Sequence, residues 1–192
     1  MDNILKLKNE QRALILKKRK EIKKKENLNF INLEEKLLEI FEYEKVNIIA
    51  TFIEINTEIS MQKLNNYLIQ TSKTICLPVI EGNNNHLIFR EFNKKTELLK
   101  GKFGVLEPSK KSKEVYPDLI LTPCLAFDLF GYRLGYGGGY YDKTFNRFHN
   151  SNHLYKSVAI AFDDQKVNKV VKNNLDYKVN YVLTDQQIYK IL

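Results

Sequence analysis

The spacing of apolar residues first predicts two helices at the start of the chain. Residues 3–25 contain no Gly or Pro and repeat apolar residues at helical spacing, which is typical of one long helix. Its expected packing positions are Leu5, Leu7, Leu14, Ile15 and Ile22. A second helix is predicted after Asn32, which begins a sequence resembling a capping box. The apolar stripe expected on this helix is Leu33, Leu37, Leu38 and Phe41.

From Val46 onward the pattern changes to short, nearly continuous apolar runs rich in β-branched residues. Such runs are typical of strands that are covered on both faces of a sheet. The predicted strands are residues 46–53, 74–79, 86–90, 118–123, 157–162 and 181–184. Helices are predicted from Ser60 to about Thr71 and over 140–148, and residues 100–117 are predicted to be a surface connection. This alternation predicts an α/β fold of three layers, with a mainly parallel sheet and helices on both faces.

Glycines are concentrated in one loop, because five of the eight lie between Gly131 and Gly139. Glycine loses much backbone entropy on folding, so such a loop indicates positive φ angles or backbone N–H groups close to a ligand. A helix is predicted to follow at Tyr140, and a loop that enters a helix N-terminus is a typical anion site. Neither the P-loop nor the dinucleotide fingerprint is present. The alternative is a hairpin or Ω-type loop without a ligand.

The net charge of +8 is concentrated at the N-terminus. The first 25 residues carry +7 and the remaining 167 only about +1, so a general nucleic-acid surface is not indicated. A solvated basic helix is one interpretation, and a nucleic-acid-binding helix is another. In a third, Lys8 and Arg12, four residues apart on one face, turn inward to phosphates while residues 17–25 remain in water.

The order of motifs resembles the 5-formyltetrahydrofolate cyclo-ligase (5,10-methenyltetrahydrofolate synthetase) family over almost the whole chain. The residues that carry the resemblance are Lys8, Arg12, 52–53, 57–58, 77–79, 103–108, 118–120, 123–128, 133–142, 161–165 and Asp176. The central run, Arg-Leu-Gly-Tyr-Gly-Gly-Gly-Tyr-Tyr-Asp at 133–142, is the most specific of these.

The resemblance implies an ATP- and Mg²⁺-dependent cyclisation of 5-formyltetrahydrofolate to 5,10-methenyltetrahydrofolate. ADP and phosphate are released, and the reaction passes through a phosphorylated formyl oxygen. A rival is another α/β enzyme that handles a phosphosugar or coenzyme A, since a fold does not fix its chemistry. That rival needs neither a folate-sized aromatic pocket nor Mg²⁺-ATP.

The resemblance also implies roles for particular residues. Arg133 and Lys8 are the expected catalytic residues, and Asp142 and Asp176 the expected Mg²⁺ ligands. The implied ATP contacts are Lys8, Arg12, Arg133, Leu134, Gly135, Tyr136, Gly137, Gly138, Gly139, Tyr140 and Tyr141. The implied contacts of the folate substrate are Phe52, Ile53, Glu58, Tyr136, Gly137, Gly138, Gly139 and Tyr140.

Residues 1–192 are expected to form a single cyclo-ligase domain, with the basic helix 3–25 packed on the α/β core. The sequence shows no signal peptide, and no apolar run approaches the length of a membrane span. We therefore expect a cytoplasmic monomer that acts on a small molecule, with no nucleic-acid or membrane partner.

Overall fold

The computed structural model describes residues 2–25, 33–40, 43–82 and 85–191. Its helices are α1 (Asp2–Lys25), α2 (Leu33–Leu38), α3 (Gln62–Leu68) and α4 (Tyr140–Asn150). Short 3₁₀ turns lie at Tyr43–Lys45, Lys102–Gly104 and Asp163–Gln165. None of these helices is long and apolar enough to cross a membrane.

The strands are β1 (Ile48–Ala50), β2 (Thr74–Val79), β3 (Ile88–Glu91), β4 (Leu98–Lys100), β5 (Leu106–Pro108), β6 (Glu114–Val115), β7 (Leu119–Pro123), β8 (Ala126–Phe127), β9 (Arg133–Leu134), β10 (Lys156–Ala161), β11 (Tyr181–Thr184) and β12 (Ile188–Lys190). The main sheet has the order β12-β11-β10-β7-β1-β2-β3-β6. The five strands from β11 to β2 are parallel, whereas β12 and β3 pair antiparallel with their neighbours. The expectation of a mainly parallel sheet is confirmed.

Alternation along the central strands divides the core between the two faces of the sheet. Ile49 and Leu121 pack in one cluster with residues of α2 and α3. Their chain neighbours Ala50 and Ile120 pack on the opposite face with Phe145 of α4. Since successive strand side chains point to opposite faces, both faces of these strands are buried under helices. The three-layer arrangement is confirmed.

Two predicted segments of the sheet differ in the structure. The run predicted as one strand over 46–53 is a strand only at β1. Beyond it, the Thr51 hydroxyl donates to Asn65 Oδ1 of α3 (2.6 Å) and Asn65 Nδ2 donates to Phe52 O (2.9 Å), so Phe52 O bonds a side chain and not a strand. The prediction of a surface connection over 100–117 is wrong. Its residues pair as the hairpin β4–β5 and as the edge strand β6, and Glu107 is buried there.

The helix predicted from Ser60 begins later and by a different mechanism. The N-cap position of α3 is Met61, which has no capping side chain, while the Ser60 oxygen accepts a long hydrogen bond from Gln62 N at 3.4 Å and its hydroxyl donates to Glu54 Oε1 at 2.9 Å. In α2, Leu37 is buried as predicted, but Leu38 is exposed. The other predicted features of this helix lie outside what is described: Asn32 as its cap, the Leu33 side chain and Phe41.

The long first helix is confirmed, but its packed face is different from the predicted one. Ile15 is buried and Ile22 packs against the core, whereas the side chains of Leu5, Leu7 and Leu14 are exposed. The inward face instead carries Lys8, Arg12, Ile15 and Arg19, at successive spacings of four, three and four residues. Arg19 is 0% exposed, so the expectation that residues 17–25 remain in water is wrong there.

The two-sided core generates a stability prediction. Leu68→Ala removes a wholly buried side chain of α3 and should lower the free energy of unfolding by about 2–5 kcal/mol. Leu154→Ala is the matched control, because Leu154 is 88% exposed and its truncation should change stability by less than about 0.5 kcal/mol. Chemical denaturation measures both. Equal midpoints for the two variants would contradict the assignment of this face as core.

Candidate functional site

The glycine-rich loop lies between β9 and α4, at the carboxyl edge of the parallel strands, where ligands of α/β sheets usually bind. Gly137 has φ 111° and Gly139 has φ 67°, so the loop uses the positive φ angles that the glycine cluster predicts. Gly139 is also the N-cap of α4, and no side chain caps that helix end. The N–H groups of the first turn of α4 therefore need partners, and an anion suits them.

A buried carboxylate fixes the turn that precedes this loop. Asp128 Oδ1 accepts hydrogen bonds from the backbone N–H groups of Phe130 and Tyr132, each at 3.0 Å. Asp128 Oδ2 accepts from the N–H of Val170 at 2.8 Å. Because Asp128 is only 1% exposed, these bonds are well shielded from water. The loop is thereby held in shape by the protein itself.

One cation of α1 contacts this loop, and another pairs with Asp176 of the C-terminal segment. Arg12 Nε donates to Gly135 O at 2.9 Å, and the Arg12 guanidinium carbon lies 3.5 Å from the position that a Cβ on Gly137 would take. Lys8 is buried, and its Nζ donates to both carboxylate oxygens of Asp176 at 2.7 and 2.5 Å. Lys143 of α4, which the sequence analysis did not single out, also reaches the loop and donates to Gly138 O at 3.3 Å.

The two expected metal ligands each form an ion pair with an expected phosphate contact. Arg133 Nη1 lies 2.9 Å from Asp142 Oδ1, and Lys8 Nζ lies 2.5 Å from Asp176 Oδ2. Asp142 Oδ1 also accepts from the backbone N–H of Tyr177 at 3.0 Å. Since Tyr177 directly follows Asp176, one peptide unit joins the two carboxylate sites. The geometry thus brings together two carboxylates and two cations whose charges balance.

This carboxylate pair fits magnesium bound with a nucleotide. Within the described part of the chain, no group of three or more His, Cys, Asp and Glu side chains has the arrangement of a metal site. Mg²⁺ does not require such a group, because it keeps several waters and usually takes one or two carboxylates together with phosphate oxygens. Asp142 and Asp176 are therefore sufficient in number, provided that phosphates replace the present partners of the two cations.

Glu58 is the second polar centre of the site. It is 4% exposed, and its Oε2 accepts from the N–H of Ile55 at 2.9 Å. Its Oε1 is buried and has no hydrogen-bond partner among the residues described. Burial raises the pKa of Glu58, and its bond from Ile55 N, the Tyr136 hydroxyl and the Arg19 guanidinium offset part of that rise. A buried acceptor without a partner is uncommon, and a ligand N–H group is one way to satisfy it.

Arg19 lies next to Glu58, and the sequence analysis missed it. Its Nε donates to Thr57 Oγ1 at 2.9 Å, its Nη1 to Cys124 O at 3.2 Å and its Nη2 to the Tyr136 hydroxyl. The available signal was the spacing of the inward face, because position 19 lies on the same side of α1 as positions 8, 12 and 15. The many neighbouring lysines concealed that signal.

The aromatic residues of the site are only partly in the expected places. Phe52 is buried in the core cluster that includes residues of α3. The expected contact Leu134, which is not aromatic, packs with Ile15 of α1. Tyr140 is half-buried at the start of α4, where it meets the Phe103 ring edge-on at a centroid distance of 6.2 Å. Phe103, also missed as a site residue, is 72% exposed and has φ 62°, which is uncommon for a bulky residue.

The remaining expected site residues are distributed around the loop. Ile53 is half-buried directly after Phe52. Tyr141 packs below Arg133, whose guanidinium carbon lies 5.8 Å from the centre of the tyrosine ring. Burial raises the pKa of Tyr141, so this phenol stays protonated at neutral pH. Gly138 has no space for a side chain, because a Cβ there would lie 2.7 Å from the Tyr140 ring.

Comparison with known proteins gives a consistent family. The chain matches the sequence model of the 5-formyltetrahydrofolate cyclo-ligase family over residues 5–185. It is 29% identical over 147 residues to the 5-formyltetrahydrofolate cyclo-ligase of Escherichia coli (strain K12), covering 74% of this chain and 80% of that protein. It is 31% identical over 144 residues to the enzyme of the same name from Haemophilus influenzae, covering 72% of this chain and 76% of that protein.

Solved structures show the same fold. The 5,10-methenyltetrahydrofolate synthetase of Aquifex aeolicus is similar with a TM-score of 0.76 and 27% identity, covering 96% of this chain and 93% of that one. The synthetase of Mycoplasma pneumoniae is similar with a TM-score of 0.64 and 19% identity, covering 93% of this chain and 98% of that one. The second likeness supports the fold alone.

The buried carboxylate of Glu58, whose Oε1 has no partner among the described residues, leads to a prediction about stability and pH. Because burial raises the pKa of Glu58, the folded protein binds this proton more tightly than the unfolded chain does. Ionised Glu58 is therefore destabilising, fully so above its folded pKa and not at all below its unfolded pKa of about 4.3. Glu58→Gln should raise the free energy of unfolding at neutral pH by on the order of 1 kcal/mol. This gain should vanish below about pH 4.

Denaturation at several pH values measures the effect. Glu114→Gln is the control, because Glu114 is an exposed carboxylate on the edge strand β6 and its change should leave stability nearly unaltered at each pH. If the free energy of unfolding of Glu58→Gln is lower than that of the wild type at neutral pH, the ionised Glu58 side chain is not destabilising and the prediction is wrong.

Proposed function

The chain belongs to the 5-formyltetrahydrofolate cyclo-ligase family, and we propose that it cyclises 5-formyltetrahydrofolate to 5,10-methenyltetrahydrofolate with consumption of Mg²⁺-ATP. ADP and phosphate are the other products. The observation that carries the proposal is the arrangement at the edge of the sheet. There the start of α4, which no side chain caps, lies beside two ion pairs, Lys8–Asp176 and Arg133–Asp142.

The nucleotide is proposed to bind along the glycine loop. The N–H groups at the start of α4 and the cations Lys8, Arg12 and Arg133 suit a triphosphate, because charge-assisted hydrogen bonds to phosphate are strong. The full proposed set is Lys8, Arg12, Arg133, Leu134, Gly135, Tyr136, Gly137, Gly138, Gly139, Tyr140 and Tyr141. Among these, Leu134 is buried, so its contribution is through its backbone.

Magnesium is proposed to be held by Asp142 and Asp176. In the structure these carboxylates neutralise Arg133 and Lys8. A triphosphate with its metal brings both signs of charge, so the cations can turn to phosphate oxygens while the carboxylates turn to the metal. Each buried charge then keeps a partner throughout, which avoids the large cost of a buried unpaired ion.

The folate is proposed to bind on the Glu58 side of the loop. Glu58 Oε1 is a free, buried acceptor, which suits the N–H groups on the edge of a pterin. The remaining proposed folate contacts are Phe52, Ile53, Tyr136, Gly137, Gly138, Gly139 and Tyr140. The exposed ring of Phe103 beside Tyr140 adds a second aromatic surface on which a flat ring can pack.

When bound, Mg²⁺-ATP supplies a phosphoryl group to the formyl oxygen, which makes the formyl carbon open to attack by N10 of the folate. The protein's own task is to align the formyl oxygen with the phosphate and to hold positive charge around it. Arg133 and Lys8 are the proposed catalytic residues, since both are buried cations at the loop. Fixed charges in a site shielded from water stabilise a charged transition state well.

The other expectations fit this proposal. Among the basic side chains of α1 that are described, Lys8, Arg12 and Arg19 turn toward the fold and Lys18 donates to Asp164 O, which leaves fewer for nucleic acid than the sequence indicated. Contacts of α1 with the loop and with Asp176 support a single domain of residues 1–192. We propose that it acts as a monomer in the cytoplasm, on a small-molecule substrate.

The carboxylate role has a direct test in the absorbance of methenyltetrahydrofolate as it forms from 5-formyltetrahydrofolate and Mg²⁺-ATP. Asp142→Asn keeps an oxygen acceptor for the Tyr177 N–H and for Arg133 Nη1 but removes the charge, so the protein should still fold, with some loss of stability because the buried Arg133 loses its counter-ion. Its turnover should fall by at least about tenfold, and more Mg²⁺ should be required for half-maximal rate. Glu114→Gln should behave as the wild type. Normal turnover of Asp142→Asn at limiting Mg²⁺ would exclude Asp142 as a ligand.

A second test separates the nucleotide role of α1 from a general basic surface. Arg12→Ala should raise the KM for ATP by about 10-fold or more, the equivalent of a lost charge-assisted hydrogen bond. Lys20→Ala removes an exposed charge of the same helix and should leave this KM nearly unchanged. Steady-state kinetics at fixed ionic strength measure both. Equal, small effects would favour a solvated basic helix over a phosphate site.

A further inference from the structure

Arg19 is the most deeply buried cation of the described chain, and it connects four separate segments. It lies on α1, and its three hydrogen bonds reach Thr57, the carbonyl of Cys124 and the hydroxyl of Tyr136. Thr57 is next to Glu58 in the chain, and Tyr136 lies in the glycine loop. The guanidinium therefore joins the proposed folate side of the site to the proposed nucleotide side.

The guanidinium is held in a fixed orientation. The Cys124 carbonyl that accepts from Arg19 is also bound by Gln165 Nε2 at 2.9 Å, and the same amide nitrogen donates to Leu125 O at 2.8 Å. Gln165 is itself buried. Only arginine offers three donors in a rigid planar fork, and a lysine ammonium cannot reach the same set of acceptors.

Arg19 is also the cation that acts on Glu58. The charged and titratable groups around Glu58 are Arg19 from α1, Tyr136 and Tyr141 around the start of α4, Cys124 after β7, and Glu54 from its own segment. Burial raises the pKa of Cys124 and of Tyr136 to about 12, so both are neutral at neutral pH. Glu54 opposes ionisation of Glu58, whereas Arg19 favours it.

We propose that Arg19 is a positioning residue: its bonds to Thr57, the chain neighbour of Glu58, and to Tyr136 hold the two sides of the site together, so that the buried Glu58 Oε1 accepts N–H groups of the folate. This inference rests on the proposed function. A protonated Glu58 has a donor O–H in place of one acceptor oxygen, and it would face the donor edge of a pterin with the wrong group. Arg19 thus acts on the substrate through Glu58 and makes no contact of its own.

The first measurement needs no ligand. The carboxyl carbon of Glu58 is titrated by ¹³C NMR in the full-length protein, with Glu58→Gln to assign its signal. Arg19→Met should raise the pKa of Glu58, the effect of removing a nearby opposite charge. Lys20→Met, an exposed change on the same helix, should leave it where it is. An unmoved Glu58 titration in a folded Arg19→Met protein overturns the inference.

The second measurement is the calorimetric affinity for 5-formyltetrahydrofolate across the neutral pH range. Arg19→Met should weaken binding by about 10-fold or more at neutral pH, with recovery as pH rises and Glu58 ionises again. Arg19→Lys, which keeps the charge but not the fork, should restore the titration of Glu58 more than the affinity. A uniform loss of affinity at all pH values would show a merely structural role.

A milder variant keeps the test decisive if Arg19→Met does not fold. Thr57→Val removes one anchor and retains the guanidinium, so it should shift the pKa of Glu58 and the folate affinity in the same directions by smaller amounts. No change in either quantity overturns the inference. If the wild type does not bind 5-formyltetrahydrofolate, the proposed function fails, whereas the ligand-free titration still decides whether Arg19 controls Glu58.

Discussion

The pairing of buried charges across the first helix is the interaction on which the site depends. The apolar packing described for α1 comes from Ile15, Leu16 and Ile22, whereas Leu5, Leu7 and Leu14 are exposed, so the N-terminal part of this helix lies against the C-terminal segment with little apolar contact. Polar contacts hold it there, because Lys8 pairs with Asp176 and Gln11 bonds Lys169 O and Val171 N. Removing one partner of such a contact leaves a buried charge or donor unpaired, so these contacts specify one docked position of α1.

The same pairing explains how a cluster of buried cations is stable in the protein alone. Three or more cations near one loop would repel one another unless carboxylates neutralised them. Asp142 and Asp176 do so, and the bond from Tyr177 N–H to Asp142 ties the two ion pairs into one unit. On the proposed function, binding of a metal nucleotide would exchange these partners and create no isolated charge. The affinity would then reflect only the difference in free energy between the ion pairs within the protein and those made with the ligand. Metal and nucleotide bound together would replace both partners of each pair, whereas either one alone would leave one partner unpaired.

The sequence predicted the sheet well because its signal is redundant. The runs at 119–123, 156–161 and 181–184 are apolar on both faces, and no other structure buries them so fully. The strands β4, β6 and β12 have only two or three residues, which is too few for a periodic pattern. Pairing with neighbouring strands therefore determines whether these segments are extended. For α1 the pattern of leucines indicated the wrong face. Part of the surface that receives this helix is polar, at Asp176 and the glycine loop, and hydrophobic periodicity carries no information about polar packing.

The site departs from ordinary protein structure at several positions near one edge, and the departures have a common cause. Glu58 Oε1 is a buried acceptor without a described partner, α4 begins without a side-chain cap, and Phe103 exposes its ring at a positive φ angle. Each feature costs stability in the protein alone, and each is complementary to part of a ligand that has N–H donors, phosphates and flat rings. Glycine content and motif spacing led to the proposed phosphate part. The Glu58 and Phe103 parts depend on tertiary burial and backbone conformation, which are not visible in residue order.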